Sequence, residues 1–159
     1  MDLENKVSLV TGAGQGIGEG IAKTLAKKGS KVIVVDLNQE SSSKVAEEIN
    51  DKFPNSACSF QADLTKSDEI KHMLEFGVTK FSKIDCICNN AAASRGIGPV
   101  ENYSLEDVQA TIDLTFTCLW KCLQAEIKFL KQQAISASVV NISSNSAIKG
   151  YAFNSIYAA

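Results

Sequence analysis

The sequence predicts a doubly wound α/β fold: a five-stranded parallel sheet in the order 3-2-1-4-5, with helices on both faces. Three observations carry this. Apolar runs of strand length alternate with stretches of helical period along the chain. The run Lys31-Val-Ile-Val-Val-Asp36 is nearly all apolar, as a strand covered on both faces of a parallel sheet must be. A glycine-rich turn, Thr11-Gly-Ala-Gly-Gln-Gly-Ile-Gly18, sits where the first strand becomes the first helix.

Each element follows from its residues. Val7, Leu9 and Val10 mark strand 6–11. Ile17, Ile21 and Leu25 recur at spacings of four in helix 16–28, the stripe of a helix packed on a sheet. Strand 31–36 comes next. Helix 39–51 is polar at most positions, with Val45 and Ile49 turned inward and the run Ser41–Ser43 as its exposed start. Strand 57–62 leads to helix 67–81, where Ile70, Leu74 and Phe81 keep the period. Ile84, Cys86, Ile87 and Cys88 mark strand 84–89, and Gly96, Gly98 and Pro99 mark loop 91–102.

A helical stretch then covers 104–132. In its second part Ile112, Phe116, Leu119, Leu123, Ile127 and Leu130 recur at three and four, which predicts a firmly packed helix. Phe116 and Trp120 are expected in the core or at a subunit contact. Strand 138–143 is rich in Val and Ile and is expected to form a bare edge. Right-handed crossovers between successive strands give the stated order. No linker, repeat or low-complexity segment divides residues 1–159, so a single domain is expected.

Composition narrows the function. The net charge of −2 gives no reason to expect nucleic acid or an acidic membrane as partner. No apolar run reaches the ~18 residues of a membrane span. The start, Met-Asp-Leu-Glu-Asn-Lys, lacks the character of a signal peptide. Five cysteines invite a metal reading, but Cys86 and Cys88 are two apart and Cys118 and Cys122 four apart. Neither is the spacing of common zinc sites, so no metal is expected. Reduced thiols and a cytoplasmic location are expected instead. His72 lies in a polar helical stretch and reads as solvated.

The glycine turn carries chemistry. A strand, a tight turn and a helix N-terminus leave backbone N–H groups and the positive end of the helix dipole facing one gap. A pyrophosphate approaches only where no Cβ stands in the way, and Gly12, Gly16 and Gly18 remove it. Gly14, Gln15 and Ile17 complete the predicted cradle. Asp36 ends the second strand 18 residues after Gly18. A carboxylate there accepts hydrogen bonds from ribose hydroxyls and repels a 2′-phosphate, which favours NAD over NADP.

With Thr11 in front, the spacing Gly12-x-x-x-Gly16-x-Gly18 resembles that of the short-chain dehydrogenase/reductase family. The resemblance runs from about residue 5 to the last residue. Ala62-Asp63-Leu64 resembles the family's adenine-contacting segment, and Asn89-Asn90-Ala91-Ala92 its Asn-Asn-Ala-Gly motif. Val140-Asn-Ile-Ser-Ser144 resembles the strand bearing its serine, and Tyr157-Ala-Ala the start of its Tyr-x-x-x-Lys motif. Ser144 and Tyr157 are 13 apart, the family's separation.

The resemblance implies an NAD-dependent oxidoreductase that moves hydride between nicotinamide and an alcohol or carbonyl substrate. Tyr157 would be the general acid or base, and Ser144 would orient the substrate oxygen. Asn90 and Ala91 would line the cofactor pocket. Two departures stand out. Asp113 takes the place of the family's asparagine, which helps hold a water in the proton relay; an ionised carboxylate cannot donate a hydrogen bond. The sequence also stops at Ala159, before the lysine expected four positions after Tyr157. The expectation is therefore the amino-terminal part of such an enzyme. It lacks the family's last two strands, retains dinucleotide affinity with little turnover, and derives from a homo-oligomeric parent. The alternative is a non-catalytic dinucleotide-binding or interaction protein.

Overall fold

A computed structural model describes residues 3–134 and 136–158. Strands β1 (Val7–Thr11), β2 (Lys31–Asp36), β3 (Ala57–Gln61), β4 (Cys86–Asn89) and β5 (Ser138–Asn141) form one sheet in the order β3-β2-β1-β4-β5. Every pairing is parallel. Helices α1 (Gly16–Lys27), α2 (Gln39–Lys52) and α3 (Ser67–Phe81) follow the first three strands. Helices α4 (Leu105–Ile112) and α5 (Cys118–Gln132) lie between β4 and β5, and α6 (Ser155–Ala158) comes last.

The sheet divides the core in two. Because side chains alternate along a strand, Ile33 and Val35 of β2 face one layer and Val32 and Val34 the other. Leu9, Ile33 and Ile87 pack with Ile70 and Leu74 of α3 and with Cys118, Cys122 and Leu130 of α5. Val10, Val32, Val34 and Cys88 pack with Ala22 and Ala26 of α1 and with Val45 and Ile49 of α2. The strands thus end together at one rim, where the loops that follow β1 and β4 meet.

The structure corrects three expectations. The stretch 104–132 is not one regular helix: α4 and α5 are joined by a π-helical turn, Asp113–Thr117. A π turn holds more residues than an α turn, so it rotates everything after it relative to a count at 3.6. The stripe facing the core is Cys118, Cys122, Glu126 and Leu130. Phe116 is 67% and Trp120 62% exposed, so neither is core, and of the two places expected for them only the subunit contact stands. Second, Ser42 is fully buried rather than an exposed helix start, and Ser43 Oγ lies 3.1 Å from Ser59 Oγ of β3. Third, Ile17 is 70% exposed and does not join Ile21 and Leu25 against the sheet. Strand β5 is an exposed edge as expected, with Val140 open on it and Ile142 open just after it.

Among the described residues no helix is long and apolar enough to cross a membrane. Among the same residues no group of three or more His, Cys, Asp or Glu side chains converges on a point where a metal could sit.

Candidate functional site

At the carboxyl rim of the sheet a cleft of about 960 Å³ opens between the turn after β1 and the segment after β5. The glycines of the first turn serve different ends. Gly12 and Gly16 both have φ +60, which costs glycine nothing and strains any other residue. A Cβ on Gly12 would lie 2.8 Å from Ala91 Cα, so that position is small for packing. A Cβ on Gly18 would fall on the Gly12 carbonyl oxygen and 2.5 Å from Asn90 Nδ2, so it too serves packing. A Cβ on Gly16 would meet nothing within 4 Å: this glycine faces open space. Gln15 precedes α1 with no side-chain cap, leaving the first N–H groups of the helix without a side-chain acceptor.

Gly14 does not line the cleft. Its N–H donates to Asp36 Oδ2 at 2.8 Å, and a Cβ there would strike Ser41 Oγ. Asp36 Oδ1 accepts from the Asn38 N–H at 3.0 Å. Each carboxylate oxygen is thus pinned by one backbone N–H and keeps acceptor capacity toward the cleft.

Thr11 and Asn90 clamp the turn to β4. Thr11 Oγ1 accepts from the Asn90 N–H at 3.1 Å and the Ala91 N–H at 3.2 Å. Asn90 Nδ2 donates to the carbonyls of Thr11 (3.0 Å) and Gly12 (3.1 Å). The Asn90 amide group therefore holds the loop, although the residue borders the cleft with Ala91. Sequence reasoning used Thr11 only as part of the family spacing and gave it no clamping role; its place directly before the turn was the available signal.

Asp63 and Leu64 form the next part of the wall. Asp63 Oδ1 accepts from both the hydroxyl (2.7 Å) and the N–H (3.0 Å) of Thr65. The Thr65 hydroxyl, helped by the Thr65 N–H and Lys66 and opposed by burial, holds this carboxyl below the usual range. The Asp63 N–H donates to Glu69 Oε2 at 2.7 Å, which lowers the Glu69 carboxyl in turn.

The opposite wall holds Ser143, Ser144 and Tyr157, with Leu114 and Cys118 between the walls. Ser144 Oγ accepts from the Ser146 N–H at 3.1 Å as the cap of a single turn, Asn145–Ala147. Its own O–H remains able to donate. Tyr157 reaches the cleft from α6. Asp113 does not line it: its carboxylate accepts from Gln109 Nε2 at 3.2 Å, one turn back. The structure thus gathers Ser144, Tyr157, Asp36, Asp63 and the Gly16 gap around one cavity. It sets Gly14, Gly18 and Asp113 behind the walls.

A buried polar pair stands behind the site. Glu126 is 0% exposed, and Asn89 Nδ2 donates to its Oε2 at 3.0 Å. Burial pushes the Glu126 carboxyl up to about 7 against the pull of that amide. The sequence carried one signal for it, a glutamate eight residues after Cys118 on the same helix face.

Comparison with known proteins agrees with this geometry. Residues 6–159 match the model of the short chain dehydrogenase family. An uncharacterized oxidoreductase of Staphylococcus epidermidis is 31% identical over 157 residues, covering 99% of this chain and 66% of that protein. A 3-oxoacyl-[acyl-carrier-protein] reductase of a Synechocystis strain is 35% identical over 93% of this chain and 59% of its own. Among solved structures, NAD+-bound xylitol dehydrogenase superposes with a TM-score of 0.92 at 28% identity, over 99% of this chain and 60% of that one. The chain therefore spans between 59% and 66% of the length of these relatives.

Proposed function

The chain belongs to the short-chain dehydrogenase family, and from that premise we propose that its cleft binds NAD in preference to NADP. The protein then acts as an oxidoreductase on a small alcohol or carbonyl substrate. One observation carries the reading. The open space at Gly16, at the start of α1, borders the same cavity as Asp36, whose two oxygens are fixed by the N–H groups of Gly14 and Asn38. A diphosphate suits the uncapped helix start, and ribose hydroxyls suit a pinned carboxylate. A 2′-phosphate would meet that fixed negative charge. NAD-bound xylitol dehydrogenase, a structural neighbour, supports the same choice.

The bound dinucleotide supplies or accepts the hydride. The chain's residues do the rest. Asp63 and Leu64 flank the adenine side, Ile17 lies at the lip, and Ala91 borders the floor. Ser144 donates its O–H to the substrate oxygen. The Tyr157 hydroxyl passes the proton. A homo-oligomer formed over the outward stripe of Phe116, Trp120 and Ile127, and a cytoplasmic location, complete the reading.

A second reading, a dinucleotide-binding protein without turnover, is favoured by the Asp113 carboxylate, which is bonded to Gln109 and lies outside the cleft wall. Titration of NADH and NADPH, followed by cofactor fluorescence and calorimetry, tests the cleft. NADH should saturate and bind the more tightly. A folded protein that gives no saturable response to either sinks the proposal. Binding without hydride exchange across a panel of secondary alcohols, even after a family-like carboxyl-terminal half is joined to the chain, selects the second reading.

A further inference from the structure

We infer that Glu126 is a positioning residue for the cleft: a buried neutral acid that ties the carboxyl ends of β4 and β5 together through Asn89. The inference rests on the proposal that the cleft takes a dinucleotide.

The geometry begins on α5. Glu126 continues the buried face that starts with Cys118, a residue of the cleft wall. Asn89 Nδ2 donates to Glu126 Oε2 and to Asn141 Oδ1, both at 3.0 Å, and Asn89 and Asn141 are paired in the β4–β5 register. The next residue on β4's side is Asn90, whose amide group holds the glycine turn. On β5's side the Ile142 N–H donates to the Asn89 carbonyl at 2.9 Å, and Ser143 and Ser144 follow. One side chain therefore meets the place from which both walls of the cleft depart.

Two acceptors there lack a donor. Glu126 Oε1 and Asn89 Oδ1 are buried with no hydrogen-bond partner among the described residues. A protonated carboxyl brings one O–H into this network, whereas an ionised one brings none. Among the described residues no cation balances a charge at this point. On α5 the neighbouring titratable groups are Cys122, whose thiol is raised by its contact with Cys118, and Cys118 itself. On β4, Cys86 and Cys88 are thiols raised by burial. The described residues of β5 carry no titratable side chain. Helix α3 buries Ile70, Met73, Leu74 and Gly77, and its Lys71, Glu75 and Lys80 are exposed. An ionised Glu126 is thus an unpaired charge in an apolar layer, and it draws water in and loosens Asn89.

The test is NADH affinity against pH in the wild-type chain, Glu126→Gln and Glu126→Leu. If the binding form requires the neutral acid, wild-type affinity falls about ten-fold between pH 6 and pH 8. Glu126→Gln, neutral and of the same shape, should bind within about two-fold across that range, by the same linkage. Glu126→Leu, which takes from Asn89 one of its two acceptors, should bind weakly at both pH values. The same pH dependence in wild type and Glu126→Gln overturns the inference. If folded wild type binds no NADH at any pH, the proposed function fails, and amide exchange then decides the inference. After correction for intrinsic rates, protection at Asn90, Ala91 and Ile142 should drop from pH 6 to pH 8 in wild type alone; unchanged wild-type protection overturns it. Should Glu126→Gln fail to fold, the carboxyl carbon-13 titration of Glu126 in wild type decides, and an ordinary carboxylate midpoint overturns the inference.

Discussion

Replacing Gly16 or Gly18 by alanine adds the same methyl group two residues apart and should give opposite phenotypes. At Gly18 the new Cβ falls on the Gly12 carbonyl oxygen and 2.5 Å from Asn90 Nδ2, so backbone must move. Overpacking of this kind costs about 1–3 kcal/mol. The displaced Asn90 amide gives up two hydrogen bonds, worth about 1 kcal/mol each. Better helix propensity returns about 1 kcal/mol. The net is about 2–4 kcal/mol of lost stability, or a Tm lower by roughly 10 °C. At Gly16 the Cβ meets nothing, and only the left-handed backbone, φ +60, resists, at about 1–2 kcal/mol. Gly16→Ala should therefore melt within about 5 °C of wild type, yet lose NADH binding, because its methyl stands where the diphosphate approaches. Urea melts and NADH titrations of both variants check this. Normal NADH affinity in Gly16→Ala, or unchanged stability in Gly18→Ala, refutes the division of labour among the glycines.

Three further outcomes are expected. Asp36→Asn removes the charge pinned by Gly14 and Asn38; NADH binding should weaken about ten-fold or more, while NADPH loses its repulsion, and parallel titrations read the ratio. Glu126→Gln should raise stability in a pH-dependent way. The folded-state value of about 7 lies above the ordinary 4.5, so wild type loses stability as pH rises through that interval and holds the loss above it. The gap of 2.5 units corresponds to at most about 3 kcal/mol in favour of the variant at pH 8 and almost none at pH 4, read by urea denaturation. Phe116→Lys, on the exposed stripe, should leave monomer stability within about 0.5 kcal/mol while weakening self-association in sedimentation.

The sheet was legible because parallel strands are wrapped on both sides. Val32 to Val35 show no gap in apolar character, and the structure buries all four. The turn at Gly12–Gly18 was legible because its glycine spacing is a backbone requirement, independent of neighbours. Other features depend on partners that only the fold supplies. Gly14 was expected in the cofactor cradle, but the approach of Ser41 and Asp36 turns it into a support for the carboxylate. Asn90 was expected to line the cofactor pocket; it borders the cleft, while both protons of its amide group are spent on the turn. The π turn at Asp113–Thr117 has no marker in the sequence, and a steady count of 3.6 therefore put Ile112 and Ile127 inside and overlooked Glu126. Cys118 and Cys122 act as the apolar residues of that face, which hydropathy alone did not reveal.

The sole tryptophan, Trp120, stands 62% exposed on the outward side of α5. An indole so wet emits toward the red, and covering it shifts the light toward the blue. The chain thus carries a built-in optical gauge of crowding on that helix. A spectrum recorded across a dilution series reports whether another surface settles there, without any label or added dye.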